Sequence, residues 1–254
     1  VHLVEIARLS SPANYYSATS IDFNGNLAYV SWHINPKKYS ENFGGAIDVI
    51  NITDRKVLQC RVNSDVKYSH TCFYDGWLFS AGDDYHNGAV LSKIHLQNGL
   101  FADNKEEQLV NLTGNSGNCV EVVGNTLLTA SGTEDGGFDL LQLNAAQKQY
   151  SVPALEAKFV YSNGEKIVTL NNMSLGTVNV YDTRKGRPED MLATPVLTFN
   201  AGPIAPVDGK NVIMCSEKYI YVCMGKNGLH SFDINTGREV AYYDIKQVNG
   251  IDID

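Results

Sequence analysis

The sequence lacks a long apolar segment, and no stretch approaches the roughly 18 continuous apolar residues of a membrane-spanning helix. It also lacks a basic excess, because 28 acidic residues outnumber 20 Lys and Arg residues and the formal charge is −8. Nucleic acids and anionic membrane surfaces are bound through clustered basic side chains. The composition therefore predicts no nucleic-acid partner and no transmembrane segment.

Sequence motifs of common enzymes are missing as well. The chain contains no GxSxG, no HExxH, no P-loop and no GxGxxG that opens a helix. The chain does not open with a recognisable signal peptide, which has a basic start, an apolar run and a cleavage site. A mature secreted protein would also lack these features. The sequence therefore contains none of these enzyme motifs from which a catalytic residue could be identified.

Cysteine is sparse and its number is odd, with Cys60, Cys72, Cys119, Cys215 and Cys223. Such spacing suits neither a disulfide framework nor a zinc site. Cys215 and Cys223 bracket a hairpin whose turn is placed at Ser216 and Glu217, so their sulfurs are not expected to meet. The five residues are predicted to be buried free thiols.

What the sequence does contain is a repeat of about 40 to 50 residues, the period typical of propellers. Each unit has an apolar or alternating segment that begins at a glycine and reads as a strand. These segments begin at Gly45, Gly88, Gly137, Gly176 and Gly228.

Three further strands accompany each glycine segment. One precedes it and is rich in β-branched and aromatic residues, as in 27–32 (LAYVSW) and 219–223 (YIYVC). Another comes earlier still, before a tight turn such as Asn-Gly or Asp-Gly, which signals a hairpin. A last strand follows the glycine segment. We name the four strands A, B, C and D in chain order.

Five A-B-C-D units and no sustained helical period predict an all-β fold, a β-propeller of four-stranded antiparallel blades. A β-sandwich or a linear β-array is the alternative. Radial stacking buries both faces of each sheet and protects the edges. The chain 1–254 is predicted to be a single propeller domain with these approximate blades: 16–62, 67–112, 117–155, 157–200 and 210–246.

The two ends predict a partial blade shared by the termini. Residues 1–10 read as an unpaired D strand and residues 248–254 as a new A strand. The B and C strands of that blade are not visible, so we expect a fragment of a six- or seven-bladed propeller, or a minimal last blade.

The segments YIYVCMGKNGLHSFDINTGREVAYYDI and GGAIDVINITDRKVL resemble the repeats of bacterial extracytoplasmic propellers, the LVIVD-repeat and YVTN-like surface proteins. The resemblance covers nearly the whole chain, although the LVIVD string itself is absent. It implies a periplasmic or cell-surface location, with lipid anchoring through a removed N-terminal segment as one route. It also implies binding or scaffolding, and it carries no catalytic residues.

The loops between strands B and C are the predicted binding face, because the A-B turns are short and binding residues concentrate on longer loops. Aromatic rings beside carboxylates suit a carbohydrate or a peptide, and the two carboxylate pairs could hold calcium. The C-D loops 97–107 and 183–194 are predicted to be solvated excursions on the opposite face. The predicted ligand-binding residues are His33, Tyr39, His70, Asp83, Asp84, Tyr85, His86, Glu134 and Asp135.

For His70 two readings stay open: a ligand-binding residue near the propeller axis, or a structural histidine. Cys72 lies two residues on and could form a metal pair with it, but no third ligand is spaced nearby. For the whole protein, a non-enzymatic extracytoplasmic binding module is favoured. The alternatives are a hydrolase or lactonase-like propeller enzyme with an axial metal, and a purely structural domain. Few carboxylates at the starts of the A strands disfavour the enzyme.

Overall fold

The computed structural model describes residues 16–34, 43–132, 137–143, 147–152, 157–171, 175–203 and 212–245. These residues form five antiparallel sheets, each built from consecutive strands in chain order, as predicted. The chain divides into two compact units, residues 1–109 and 110–254. The segments 1–10 and 248–254, assigned to a closing blade, lie outside the described residues, and a single domain over the whole chain stays a prediction.

The first two sheets contain nine strands. They are β1 (Tyr16–Asn24), β2 (Leu27–Ile34), β3 (Gly45–Asn51) and β4 (Lys56–Asn63) in the first sheet, and β5 (Val66–Tyr74), β6 (Trp77–Asp84), β7 (Gly88–Gln97), β8 (Leu100–Phe101) and β9 (Glu107–Asn111) in the second. In the second sheet both β8 and β9 pair with β7, so an extra hairpin interrupts the predicted C-D connection.

A single apolar cluster joins the first two sheets. Strand β3 contributes Ile47 and Val49, and β5 contributes Val66 and Tyr68. Alternate residues of a strand share a face, so this spacing sends one apolar face of each sheet toward the other. Five of the cluster's large side chains, among them Tyr68, are fully buried.

The remaining three sheets contain twelve strands and one short helix. They are β10 (Cys119–Val123), β11 (Thr126–Ala130), β12 (Phe138–Gln142) and β13 (Gln147–Val152); β14 (Ala157–Ser162), β15 (Lys166–Asn171), β16 (Thr177–Asp182) and β17 (Leu197–Asn200); and β18 (Ile213–Cys215), β19 (Tyr219–Cys223), β20 (Leu229–Asp233) and β21 (Glu239–Tyr243). The helix α1 (Pro188–Leu192) follows a 3₁₀ turn at Thr183–Lys185.

A second apolar cluster fills the three later sheets. Its fully buried members include Phe138 from β12, Leu170 from β15 and Ile220 from β19. The short helix adds Met191 and Leu192, which are 7% and 3% exposed. The prediction that residues 183–194 are wholly solvated is therefore wrong, because two apolar side chains anchor this charged loop in the core.

In the first two sheets the predicted A-B turns are present where the sequence placed them. Gly25 between β1 and β2 has φ +57°, and Gly76 between β5 and β6 has φ +76°. Only glycine adopts this left-handed region at little cost, which is why Asn-Gly and Asp-Gly pairs mark tight hairpins.

Two assignments from the sequence differ from the structure. The sequence predicts that Asp83 and Asp84 lie in a B-C loop, but β6 continues to Asp84, which pairs with Val66. The turn between β18 and β19 also lies one residue later than the predicted turn at Ser216 and Glu217, because Cys215 pairs with Ile220.

Candidate functional site

An exposed aromatic cluster lies where β6 turns into β7. Tyr85 is 66% exposed, and its ring makes edge contacts with Phe43 and His86 at centroid distances of 5.5 and 5.1 Å. This geometry is favoured between rings because the positive edge of one meets the negative face of the other. We call Phe43, Tyr85 and His86 the aromatic platform.

The turn that carries the platform is held by one carboxylate. Oδ1 of Asp84 accepts hydrogen bonds from the backbone N–H groups of His86 and Asn87, both at 2.9 Å, and from Nδ2 of Asn87 at 3.0 Å. The N–H of Tyr85 donates to the carbonyl of Asp65 at 2.8 Å. A side-chain acceptor of this kind fixes a turn, so Tyr85 projects from a fixed backbone rather than from a loose loop.

A positive charge lies beside the platform. Nζ of Lys67, on β5, is 4.3 Å from the centroid of the Phe43 ring. A cation over an aromatic face is attracted by the ring quadrupole, by about 0.5–1 kcal/mol at exposed sites. The platform thus presents ring surface and a cation together, which suits ring stacking combined with contact to a polar or anionic group.

Of the predicted site residues, Tyr85 and His86 are brought into contact. Asp83 and Asp84 do not form one pair, because consecutive strand residues point to opposite faces of a sheet. Asp84 also uses one oxygen for three donors in the turn. This doublet therefore does not offer both carboxylates to one calcium ion.

The other predicted residues are scattered. His33 is half-buried on β2 and pairs with Gly45, and His70 is half-buried on β5 beside a bulge. Tyr39, Glu134 and Asp135 lie outside the described residues. Their role in ligand binding stays a prediction.

Sequence reasoning missed Phe43 and Lys67. Phe43 closes the loop that was singled out for its polar residues, directly before Gly44. Gly44 has φ +133°, and a Cβ there would lie 2.7 Å from the carbonyl oxygen of Asn63. The signal available in the sequence was an aromatic residue directly before a glycine. That the glycine lies against a neighbouring strand is known only from the structure.

A second polar site lies along the outer strand of the first sheet. The C-D loop 98–106 of the second sheet crosses onto β4, and together they line an open cleft of about 440 Å³. The side chains that line the cleft are Gln59, Cys60, Arg61, Phe101, Asp103 and Asn104. The prediction that this loop is a solvated excursion is therefore wrong in part: residues 102–105 are exposed, but the loop packs onto β4.

Hydrogen bonds fasten the loop at several points. The Tyr29 hydroxyl donates to the carbonyl of Gly99 at 3.0 Å, and the N–H of Phe101 donates to Oε1 of Gln59 at 2.7 Å. Nη2 of Arg61 donates to the carbonyl of Asn104 at 2.9 Å. These contacts join residues about 40 to 70 positions apart, which no local sequence pattern records.

A buried ionic cluster lies behind the cleft. Oε2 of Glu106 accepts a hydrogen bond from the Tyr68 hydroxyl at 2.6 Å and lies 3.6 Å from Nη2 of Arg61. The Arg61 and Glu106 side chains are each 9% exposed. Burial, followed by the charge of Glu106, raises the pKa of Tyr68 well above its usual range, so the hydroxyl stays a donor.

Within the described part of the chain, two polar atoms in this cluster have no hydrogen-bond partner: Nε of Arg61 and Oε1 of Glu106. A buried donor and acceptor left in this way cost free energy, unless a small molecule such as water joins them. The cluster serves to anchor the loop, whereas the exposed platform is open to a partner.

Among the described residues, no helix is long and apolar enough to cross a membrane. No protein-family model matches the sequence, and no curated protein matches it.

Solved structures do match. The computationally designed Ika8 protein aligns with a TM-score of 0.60 at 11% identity, covering 93% of this chain and 65% of that one. BamB from Moraxella catarrhalis aligns with a TM-score of 0.57 at 12% identity, covering 92% and 66%. KlHsv2 with loop 6CD replaced by a Gly-Ser linker aligns with a TM-score of 0.54 at 12% identity, covering 91% and 68%.

The chain thus spans about two thirds of the length of these structures. At 11–12% identity the likeness shows the fold alone. BamB is a β-propeller, and the five antiparallel sheets follow one another along this chain as blades do. The chain has the β-propeller fold.

Proposed function

We propose that the protein is a non-enzymatic binding module that recognises a peptide segment of a protein partner through the aromatic platform. The observation that carries the proposal is the exposed Tyr85 ring, held between Phe43 and His86 on a turn that Asp84 fixes. Rigid exposed aromatic residues bind with little loss of conformational entropy, and they are enriched at protein interfaces.

Lys67 favours a peptide over a purely apolar ligand. Its ammonium group lies beside the Phe43 ring and can meet an acidic side chain or a backbone carbonyl of the partner. A carbohydrate would use the same ring surfaces by stacking on them. The experiment therefore includes both classes of ligand.

The test is a screen of a peptide array and a glycan array with the purified chain, followed by titration of the best peptide. Tyr85→Ala with His86→Ala should weaken binding at least about tenfold, as expected when a central aromatic anchor is lost. Surface substitutions usually change stability by within about 0.5 kcal/mol, so the variant should stay folded.

Tyr74→Ala is the matched control, because Tyr74 is another exposed tyrosine, at the far end of β5. Its removal should leave binding unchanged. Binding that survives loss of Tyr85 and His86 would refute the proposed face, and a response on the glycan array alone would replace the peptide with a carbohydrate.

We further propose an extracytoplasmic location, on the periplasmic or cell-surface side, with lipid anchoring as one route. The support is the resemblance of 219–245 to repeats of bacterial surface propellers. Cell fractionation and protease digestion of intact cells and of spheroplasts test this location. An epitope-tagged chain at the cell surface should be digested in intact cells, and one in the periplasm should become accessible in spheroplasts. Complete protection of the chain in spheroplasts would contradict the proposal.

A further inference from the structure

Like β4, where Leu58 and Val62 are 42% and 58% exposed, the outer strand of the last described sheet, β21, exposes apolar side chains. It pairs with β20 on one side and is the last strand in the order of its sheet. Its apolar side chains are about half exposed: Val240 is 48%, Tyr242 is 51% and Tyr243 is 51% exposed. Ile245, just beyond the strand, is 50% exposed.

Two other outer strands are covered or charged, whereas the one charged residue within β21, Glu239, lies 2.9 Å from Nδ1 of His230 on β20. Loop 98–106 covers part of β4 through Gln59 and Arg61, and β9 presents exposed Glu107 and Gln108. Proteins normally blunt a sheet edge with charges or a covering loop, because an uncovered edge pairs with other strands. The exposed Val240, Tyr242 and Tyr243 side chains make this edge suited to accept a further strand.

The charges at the two ends of β21 favour pairing with an antiparallel copy of the same strand. Arg238 precedes the strand and Asp244 follows it, and both are exposed. In an antiparallel pair of two copies centred on Ala241, Arg238 of one copy lies opposite Asp244 of the other. The same register places Val240 opposite Tyr242, a β-branched and aromatic pair of the kind that stabilises neighbouring strands.

We propose that β21 pairs with β21 of a second copy of this chain, in the antiparallel register centred on Ala241. The two-fold pairing continues the four-stranded sheet of each copy across the contact. A bulge at Val240 in the pairing with β20 restricts the contact to a short segment, so the interface is small and the association weak. The proposal is independent of the aromatic platform, which lies in another sheet.

The experiment is sedimentation of the full chain over concentrations on the order of 1–100 µM, where weak dimers dissociate. The wild-type chain should shift from monomer to dimer. Val240→Lys should weaken dimerisation at least about tenfold, because it places a charge on the pairing edge. Val196→Lys is the matched control, since Val196 is also 48% exposed but lies outside β21, and it should dimerise like the wild type.

Charge reversal tests the register. Arg238→Asp and Asp244→Arg should each weaken dimerisation, since each places like charges opposite one another. The double variant should restore dimerisation. It still carries the substitution of Arg238, in the turn that begins at Asp233. Restoration therefore reports the contact between copies and not a change of fold. A chain that stays monomeric throughout, or a double variant that fails to restore dimerisation, would overturn the proposal.

Discussion

The Tyr68 hydroxyl and Oε2 of Glu106, 38 residues apart in the chain, are joined by a 2.6 Å hydrogen bond. Tyr68 belongs to β5 and is fully buried, whereas Glu106 ends the loop that crosses onto β4. Their bond links the apolar core between the first two sheets to the cleft on the outer strand.

Removal of that hydroxyl tests how firmly the loop is anchored. Tyr68→Phe should lower the free energy of unfolding by about 1.5–3 kcal/mol, the usual value of a hydrogen bond to a charged group. Urea denaturation measures the change. Tyr74→Phe, which alters an exposed tyrosine, should change stability by less than about 0.5 kcal/mol. Equal effects of the two substitutions would contradict the assigned role of Glu106.

Asp139 and Asp48 are both buried in C strands, but they differ in their hydrogen bonds. Asp139 on β12 accepts hydrogen bonds from the backbone and hydroxyl of Thr113 and from the hydroxyl of Ser151. Asp48 on β3 is fully buried, and neither of its carboxylate oxygens has a hydrogen-bond partner among the residues that the structure describes. The same isosteric change to asparagine should therefore have opposite effects at the two positions.

Asp139→Asn should destabilise the protein by about 1–3 kcal/mol, because an amide N–H₂ would face donors that the carboxylate now satisfies. Asp48→Asn should leave stability unchanged or raise it, since a neutral amide costs less to bury than a carboxylate. Thermal unfolding of both variants measures the sign, and a larger loss at Asp48 would show that its carboxylate has an essential partner.

The thiols are expected to differ in reactivity. All five cysteines are free, with Cys119, Cys215 and Cys223 buried and Cys60 and Cys72 half-buried, so the prediction of five buried thiols is wrong for two of them. Burial raises the pKa of Cys215 and of Cys223 to about 12. A thiol reagent at pH 8 should modify five sites in denatured protein and at most two rapidly in native protein. Rapid labelling of Cys215 would contradict this.

The same pKa shifts predict a loss of stability in alkaline solution. An unfolded thiol ionises near pH 9, whereas the folded thiols stay protonated to about pH 12. The unfolded state therefore releases protons first, so stability present below pH 9 falls as the pH rises toward 12. Cys215→Ser with Cys223→Ser should flatten this slope in urea titrations at pH 8 to 10.5, even if it lowers stability throughout.

Gly99 is one position where loop 98–106 packs against the first sheet. Its φ is +77°, and a Cβ would lie 2.3 Å from Cδ1 of Leu27. Gly99→Ala should cost at least about 1–2 kcal/mol from the left-handed backbone alone. Gly124→Ala is a control, since its φ of +58° is similar but a Cβ there meets nothing within 4 Å. Equal losses in denaturant would show that contact with Leu27 is unimportant.

The strands could be predicted because their signals are local. Segment 219–223 has β-branched and aromatic residues between turns, and it forms β19 with the same limits. Asp83 and Asp84 show where such reasoning fails, because a polar pair reads as loop while its backbone continues the pairing of β6 with β5.

The site was predictable only in part for the same reason. Tyr85 and His86 are neighbours in sequence, so their shared turn could be expected. Phe43 reaches them from a loop 42 residues earlier, and the burial of Arg61 depends on carbonyls from the following sheet. Contacts of this range arise from tertiary packing and leave no periodic trace.

The crossing of loop 98–106 onto β4 also sets an order of assembly during synthesis. Arg61 leaves the ribosome more than 40 residues before Asp103, Asn104 and Glu106, the residues that accept its hydrogen bonds and balance its charge. Until then the first sheet has an open outer strand with an unpaired guanidinium. At elongation rates of about 5–20 residues per second, that interval lasts roughly 2 to 8 seconds. The second sheet therefore completes the first blade. Until then, the charge on Arg61 keeps the exposed strand β4 from pairing with another nascent chain.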